Sequence, residues 1–271
     1  MRCAVLGDPI AHSLSPVLHR AGYAAAGLTD VSYDSVQVGE AALAAYVDGL
    51  GAQWRGLSLT MPLKRLALDL APRVADRARL AGGANTLLLE QGRPVLADNT
   101  DLPGAAAAVR ERYDGPVSAV TVLGGGATAA STGLAMCDLG ARRVRLLARS
   151  ADRAAATAAA VAAHPAAPTV EVGALADGVV DGEVVVSTIP SEAQSADLVA
   201  RVAEAPVVFE ALYDPWPTPL AASADGRVLV SGLDLLVHQA VLQFEMFTGV
   251  PAPLEEMRTA GETELRARHH P

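Results

Sequence analysis

Short apolar runs alternate with longer stretches whose apolar positions recur at helical spacing along almost the whole chain. That alternation predicts an α/β architecture with mainly parallel sheets. The runs at 3–6, 31–38 and 56–59 read as strands, with helices at 16–26 and 41–50 between them. Ser15 is the expected N-cap of the first helix, with Pro16 at its first position. Short helices are expected at 64–70 and 76–80, and 86–89 and 94–97 pair as a hairpin around Gln91-Gly92. A helix follows at 100–112.

Asp114-Gly115-Pro116 interrupts the pattern, and a fresh unit begins. Strand 119–123 is followed by a glycine turn, a helix to about Gly140 and strand 144–147. Then come an Ala-rich helix near 151–163, strands 169–172 and 184–187, a helix near 196–202 and strands 207–209 and 227–230. Pro215 and Pro217 break the pattern between the last two strands. Gly232 starts a long helix, and Pro251-Ala252-Pro253 separates it from a final one. Two units are expected, 1–101 plus 233–271 and 102–232, with the terminal helices folding back onto the first and a cleft between the two.

Length and composition narrow the picture. At 271 residues and 51% hydrophobic content the chain can bury one large core or two medium ones. Aromatics supply only 4%, so Ala, Val and Leu must fill those cores. A net charge of −9 without a Lys/Arg stripe argues against nucleic-acid partners and anionic membranes. The stretch 233–247 carries Asp234, His238, Gln239, Gln243 and Glu245 and is too polar to span a bilayer. Cys3 and Cys137 stand apart in apolar runs, with no Cys/His metal spacing, as expected of buried thiols in a reducing compartment. No signal peptide is expected, because the first apolar stretch ends at Gly7-Asp8-Pro9; the expected location is cytoplasmic.

The turn Gly124-Gly125-Gly126-Ala127-Thr128-Ala129 lies between a strand and a helix. Glycines there permit a tight turn and remove Cβ from the path of a pyrophosphate, which the helix N-terminus can bind. Glycine turns without a ligand are common, so the next strand matters. It ends at Ala148-Arg149-Ser150, with Arg153 close behind. An acidic residue at that point would accept the ribose 2′-hydroxyl of NAD, whereas arginine accommodates a 2′-phosphate. The turn therefore points to NADP, with Asp152 starting the next helix.

Four polar clusters punctuate the first unit: His12-Ser13-Leu14-Ser15-Pro16, Ser58 to Lys64, Ala84-Asn85-Thr86 and Asp98-Asn99-Thr100-Asp101. Each alone could be a cap or a turn; four within one unit suggest a site. Lys64 is the only lysine of the chain. Reducing a ketone requires a proton at the oxygen as hydride reaches the carbon. A lysine beside a carboxylate can deliver it, and arginine cannot.

Together these clusters resemble the shikimate dehydrogenase family. The family's Gly-x-Pro-Ile-x-His-Ser-x-Ser-Pro is similar to 7–16, its Asn-Val-Thr-x-Pro-x-Lys to 58–64, and its Ala-x-Asn-Thr and Asn-Thr-Asp to 83–86 and 99–101. Tyr213-Asp214-Pro215, Thr218-Pro219-Leu220 and 232–240 resemble its closing motifs. The resemblance implies that Lys64 and Asp101 form the catalytic pair, with Lys64 the proton donor. It implies that Ser13 and Ser15 hold a substrate carboxylate, that Thr60, Asn85, Asp101 and Gln239 bind ring hydroxyls, and that Tyr213 lines the substrate side. Asp76, Ala211 and Gly232 would face the cofactor, with Gly124, Gly125, Gly126, Ala127, Thr128, Arg149, Ser150 and Arg153 around the phosphates of NADP. The implied reaction is reversible NADPH-dependent reduction of 3-dehydroshikimate to shikimate in aromatic amino acid biosynthesis. An NAD-using quinate/shikimate dehydrogenase and a catalytically idle shikimate-binding relative stay open beside it. The implied fold joins an α/β substrate-binding domain to a Rossmann domain. No metal is expected, and a homodimer is one expectation for an oligomeric state the sequence does not constrain. His12 and His238 receive no catalytic role, and His269 and His270 are expected near a frayed terminus.

The chain departs from the family pattern at four places. Ser58 stands where Asn is usual, the turn reads Gly-Gly-Gly-Ala-Thr rather than Gly-Ala-Gly-Gly-Ala, Ala148 replaces a common Asn, and Ser187-Thr188-Ile189-Pro190 replaces an Asn-Ala-Thr-Ser type segment. These departures bear on cofactor affinity and on the loop near the nicotinamide, and leave the substrate set intact.

Overall fold

The computed structural model describes residues 1–269, with nothing described of the His269 side chain. The expectation for His270, and for the side chain of His269, lies outside the described residues. The chain divides into two compact units, Met1–Arg79 with Gly83–Thr100 and the described residues from Leu236 on, and Leu80–Gly82 with Asp101–Leu235.

The first unit opens with β1 (Arg2–Gly7), α1 (Ser15–Ala25), β2 (Ser32–Gln37), α2 (Glu40–Asp48) and β3 (Trp54–Leu59). A 3-10 turn at Leu66–Asp69, α3 (Asp76–Ala81), β4 (Thr86–Glu90) and β5 (Arg93–Asp98) follow. The five strands form one sheet in the order β2-β1-β3-β4-β5. β1 runs parallel to β2 and β3, and β4 runs antiparallel to β3 and β5. Gln91 and Gly92 both take positive φ, 51° and 73°, as the tight turn between β4 and β5 requires. One face of the sheet packs Leu57, Leu59, Leu87 and Leu89 against Leu43, Val47 and Leu63. On α1, His19 stacks on Tyr33 and lies beside Phe244 and Phe247. Gly22 lets α1 come close to Phe244 and Met257, and a Cβ at Gly56 would overlap the Phe247 ring.

Two expectations shift here. Ser15 is not the cap of α1: Leu14 takes that place without a side-chain bond, and Ser15 is the first helical residue. The Ser15 N–H instead meets Ser13 Oγ at 3.3 Å. Lys64 lies in a turn rather than a helix, because Pro62 and the bonds of that turn hold the backbone until Leu66.

The second unit begins with α4 (Asp101–Arg112), β6 (Ala119–Leu123), α5 (Ala127–Asp138), β7 (Arg143–Ala148), α6 (Ala151–Ala162) and β8 (Thr169–Ala174). It continues through β9 (Val184–Ser187), α7 (Ala196–Val202), β10 (Val207–Glu210), α8 (Pro219–Ser223) and β11 (Val228–Val230). The sheet order is β11-β10-β9-β6-β7-β8, and every pairing is parallel. Both faces are covered, which is why β6, β9 and β10 are fully apolar runs apart from Thr121, Ser187 and Glu210. The short helix α8 was not legible from the apolar pattern. Thr218 caps it, its Oγ accepting from Ala221 N at 3.2 Å, and Pro219 opens it.

The chain ends in α9 (Gly232–Thr248), which begins in the second unit and finishes in the first, and α10 (Leu254–His269). At the start of α9 the buried Asp234 receives Arg112 at 2.8 Å and the backbone and hydroxyl of Ser231 at 2.9 and 2.8 Å. Burial pushes this carboxyl up, but the Arg112 and Ser231 bonds outweigh it and hold the carboxyl below its ordinary range. A depressed carboxyl contributes stability that is full above its unfolded pKa and is lost as pH falls through the folded one. Urea titrations should therefore show Asp234→Asn less stable than wild type at neutral pH, with the gap closing below about pH 4. A gap that does not change with pH would remove the ion pair from the account.

Candidate active site

Register gathers the polar clusters of the first unit at one edge of its sheet. Leu6 pairs with Leu59, Ser58 with Thr86, and Thr86 with Asp98. The segments 60–64, 83–85 and 99–100 therefore leave the sheet side by side. Thr60 N donates to Leu6 O at 2.9 Å, Leu63 N to Thr60 O at 2.8 Å, and Ala84 N to Lys64 O at 2.7 Å. The turn that carries Thr60 and half-buried Lys64 is thus fastened to β1 on one side and to the Asn85 turn on the other. A Cβ on Gly7 would overlap the Thr60 methyl, so glycine is what lets β1 pass this turn. Gly7→Ala should lower thermal stability and raise the substrate KM together, because the clash displaces Thr60 itself. Unchanged values for both would show that the turn absorbs a methyl freely.

Asn85 lies at the centre of this edge and is 3% exposed. Its Oδ1 accepts Thr100 N at 2.8 Å, and its Nδ2 donates to Thr100 Oγ1 at 2.9 Å and to Gln239 Oε1 at 3.2 Å. Asp98 is held by a two-pronged bond from Arg77, 2.7 and 2.6 Å, and accepts Asn99 N at 2.7 Å. Asn99 Nδ2 reaches Gly83 O at 2.8 Å. These bonds hold rigid the segment from which Asp101 continues as the buried first residue of α4. Ser15 is buried, Ser13 is half-buried, and His12 is exposed and accepts Arg268 through its backbone oxygen at 2.8 Å. The structure thus brings Thr60, Lys64, Asn85 and Gln239 onto one framework with the Ser13-Ser15 turn in the same unit, and places Asp101 and Tyr213 in the second unit.

In the second unit the glycine turn follows the central strand. Gly124 takes φ of 125°. A Cβ on Gly125 would stand 3.0 Å from Ala154 Cα, so this glycine sets the close approach of the turn to α6. Thr157 Oγ1 reinforces it by donating to Gly125 O at 2.9 Å. A Cβ on Gly126 would meet nothing, and the first turn of α5, Ala127 and Thr128 included, has no side-chain cap. Open space in front of uncapped helix N–H groups is what a pyrophosphate requires.

At the end of β7, Arg149 and Arg153 are exposed, and among the described residues neither forms an ion pair. Ser150 is the N-cap of α6 yet makes no side-chain cap bond, and Asp152 occupies the first turn of that helix. Two arginines and a hydroxyl beside the ribose position suit a 2′-phosphate. Ala211 and Gly232 are in contact: a Cβ on Gly232 would stand 2.5 Å from Ala211 O. Asp76 belongs to the first unit, at the start of α3.

Sequence reasoning missed Glu210, a fully buried acid at the end of β10. It accepts Gln194 Nε2 at 2.7 Å, Thr218 Oγ1 at 2.8 Å and Leu212 N at 3.1 Å, binding the segment after β9 to the loop that follows Ala211. Burial pushes its carboxyl up, and the Leu212, Thr218 and Gln194 bonds pull against that. The only signal in the sequence was an acid closing an otherwise apolar strand.

A six-stranded parallel sheet in this order, with a glycine turn after its central strand, defines a dinucleotide-binding unit, and with the first unit it makes the two-unit architecture of a dehydrogenase. The family models for the shikimate dehydrogenase substrate binding domain and the shikimate 5'-dehydrogenase C-terminal domain match residues 5–87 and 232–260. The chain is 36% identical to the NADP(+) shikimate dehydrogenase of Caulobacter vibrioides over 94% of its length and 92% of the relative's. The crystal structure of Mycobacterium tuberculosis shikimate dehydrogenase aligns with a TM-score of 0.88 at 41% identity, covering 97% of this chain and 99% of that one. The Thermus thermophilus enzyme in complex with NADP(H) and shikimate aligns at 0.81 and 27% identity, over 97% and 99%. This chain belongs to the shikimate dehydrogenase family.

Proposed function

We propose that the protein is an NADP-dependent shikimate dehydrogenase, reducing 3-dehydroshikimate to shikimate reversibly in aromatic amino acid biosynthesis. The observation that carries this reading is the framework around Asn85, which fastens the Lys64 turn, Thr100 and Gln239 together in one buried edge. Such an edge presents amide and hydroxyl groups to ring hydroxyls and an ammonium to a ketone.

NADPH, when bound, supplies the hydride. The residues of this chain do the rest. Ser13 and Ser15 hold the ring carboxylate through their hydroxyls, and Thr60, Asn85 and Gln239 hold the ring hydroxyls, with Tyr213 contributing to the substrate side. Lys64 Nζ donates a proton to the ketone oxygen as the carbon is reduced, and the Asp101 carboxylate orients that ammonium and stabilises its charge. The groups named for NADP are the turn Gly124-Gly125-Gly126 with Ala127 and Thr128, the 2′-phosphate partners Arg149, Ser150 and Arg153, and Asp76, Ala211 and Gly232 towards the nicotinamide. The first unit serves as the substrate-binding domain and the second as the cofactor domain.

A cytoplasmic location belongs to this reading; Cys3 and Cys137 are free, and burial pushes both thiols up to about 11, which suits a reducing compartment. A homodimer would sediment at twice the chain mass. The decisive experiment follows absorbance at the nicotinamide band with shikimate and either NADP or NAD. Rapid reduction of NADP alone is the expected result. Turnover of quinate with NAD would move the protein to the quinate branch, and shikimate binding without turnover would make it an idle binder.

A further inference from the structure

Behind Asn85 and Gln239 lies one continuous chain of buried polar groups, all within the first unit. Tyr33 OH donates to Ser58 Oγ at 2.5 Å, and Ser58 donates to Gln243 Oε1 at 2.6 Å. Gln243 Nε2 donates to Thr86 Oγ1 at 2.9 Å, and Thr86 donates to Asn85 Oδ1 at 2.9 Å. Asn85 Nδ2 then reaches Gln239 Oε1. Tyr33, Ser58, Thr86, Asn85 and Gln243 are all at most 4% exposed.

The direction of this relay is forced by three backbone groups whose donor or acceptor character cannot change. The Asn85 carbonyl can only accept, so the Gln243 atom facing it at 3.1 Å is Nε2. Gln243 Oε1 is then left to accept from Ser58, whose single proton is thereby spent, and Ser58 Oγ must accept from Tyr33. Thr100 N–H can only donate, which fixes Asn85 Oδ1. The Leu236 carbonyl can only accept, which places Gln239 Nε2 against it at 2.9 Å and leaves Oε1 towards Asn85. Burial pushes the Tyr33 phenol well above its ordinary range, so its proton is present throughout the working pH. A reversed amide anywhere along this line would set oxygen against oxygen in a site closed to water, at the full cost of an unpaired buried group.

We propose that Ser58, acting through Gln243 and Thr86, is a positioning residue for substrate recognition: the backbone selects which way the Asn85 and Gln239 amides face, and the Ser58 relay holds Asn85, and Gln239 bonded to it, in place against the ring hydroxyls. This inference rests on the shikimate reading of the site. Serine matters because one hydroxyl both accepts from Tyr33 and donates to Gln243. Asparagine, which the family pattern carries at this position, would bring two donors and a larger head to the same point.

The test compares wild type, Ser58→Ala, Tyr33→Phe, Gln243→Met and Ser58→Thr by steady-state kinetics and by calorimetric binding of shikimate. Ser58→Ala and Gln243→Met should raise both KM and Kd for shikimate about tenfold, with the NADP KM held within about twofold. Tyr33→Phe should follow in the same direction with a smaller rise, and Ser58→Thr, which keeps the hydroxyl, should restore wild-type values. Should Gln243→Met fail to fold, Ser58→Ala and Tyr33→Phe decide the matter alone. Folded variants with unchanged shikimate Kd, or with parallel rises in both KM values, would reduce the relay to a structural element. A wild type that neither binds nor oxidises shikimate would overturn the functional reading and this inference with it.

Discussion

Replacing Lys64 with alanine should lower kcat by on the order of 10² or more, with shikimate binding changed far less. Lys64 is the only lysine of the chain, held in a turn whose backbone is bonded to the Asn85 segment. In the proposed mechanism, removing its ammonium takes away the proton for the ketone oxygen and the charge that stabilises the developing alkoxide. No neighbouring arginine can substitute, because guanidinium does not release a proton in this pH range. Single-turnover reduction of 3-dehydroshikimate by Lys64→Ala, with shikimate Kd measured in parallel, separates chemistry from binding. A variant that keeps most of its kcat would take lysine out of the mechanism. Lys64→Arg is the sharper companion: it keeps the positive charge but not the transferable proton, and should remain close to the alanine variant in rate.

Arg149→Ala should produce the second large change, a loss of roughly 10- to 100-fold in kcat/KM for NADP, the size of a charge-assisted bond to a phosphate. KM for shikimate and kcat/KM with NAD should stay near wild type, because NAD has no phosphate at that ribose. The structure sharpens this expectation: Arg149 has no ion-pair partner among the described residues, so little in the protein is lost with it. An equal fall with NADP and NAD would mean that Arg149 only supports the start of α6.

Much of the fold was legible because the central strands of its second sheet are buried on both faces and so appear as nearly unbroken apolar runs. The run at 119–123 coincides with β6, and 184–187 with β9. Helix and turn edges were less legible where a local bond decides the outcome. The Ser15 cap fell one position out: Leu14 stands at the cap, Ser15 is already helical, and its N–H meets Ser13 Oγ. Of the helix expected at 64–70 only a 3-10 turn at Leu66–Asp69 forms, because the local bond from Leu63 to Thr60 and the tertiary bond from Ala84 to Lys64 hold the residues before it in a turn. At the site, residue types and motif order named Lys64, Asn85 and Gln239, but nothing local connects Ser58 to Gln243 across 185 positions. Glu210 escaped for a similar reason, since its partners come from Gln194 and Thr218. A buried carboxylate is recognised by what surrounds it, and sequence spacing does not supply that.

The first unit is discontinuous: it includes the chain from Leu236 on, while the second unit apart from Leu80–Gly82 is the unbroken segment Asp101–Leu235. On the ribosome this imposes an order of assembly. The nested segment can complete its parallel sheet while the earlier strands still lack their last helices. Until α9 emerges, His19, Tyr23 and Gly56 have no Phe244 or Phe247 beside them, and Asn85 has no Gln239. Nascent chains stalled before residue 236 should therefore expose an apolar sheet face to chaperones, and shikimate recognition should be among the last properties the growing polypeptide acquires.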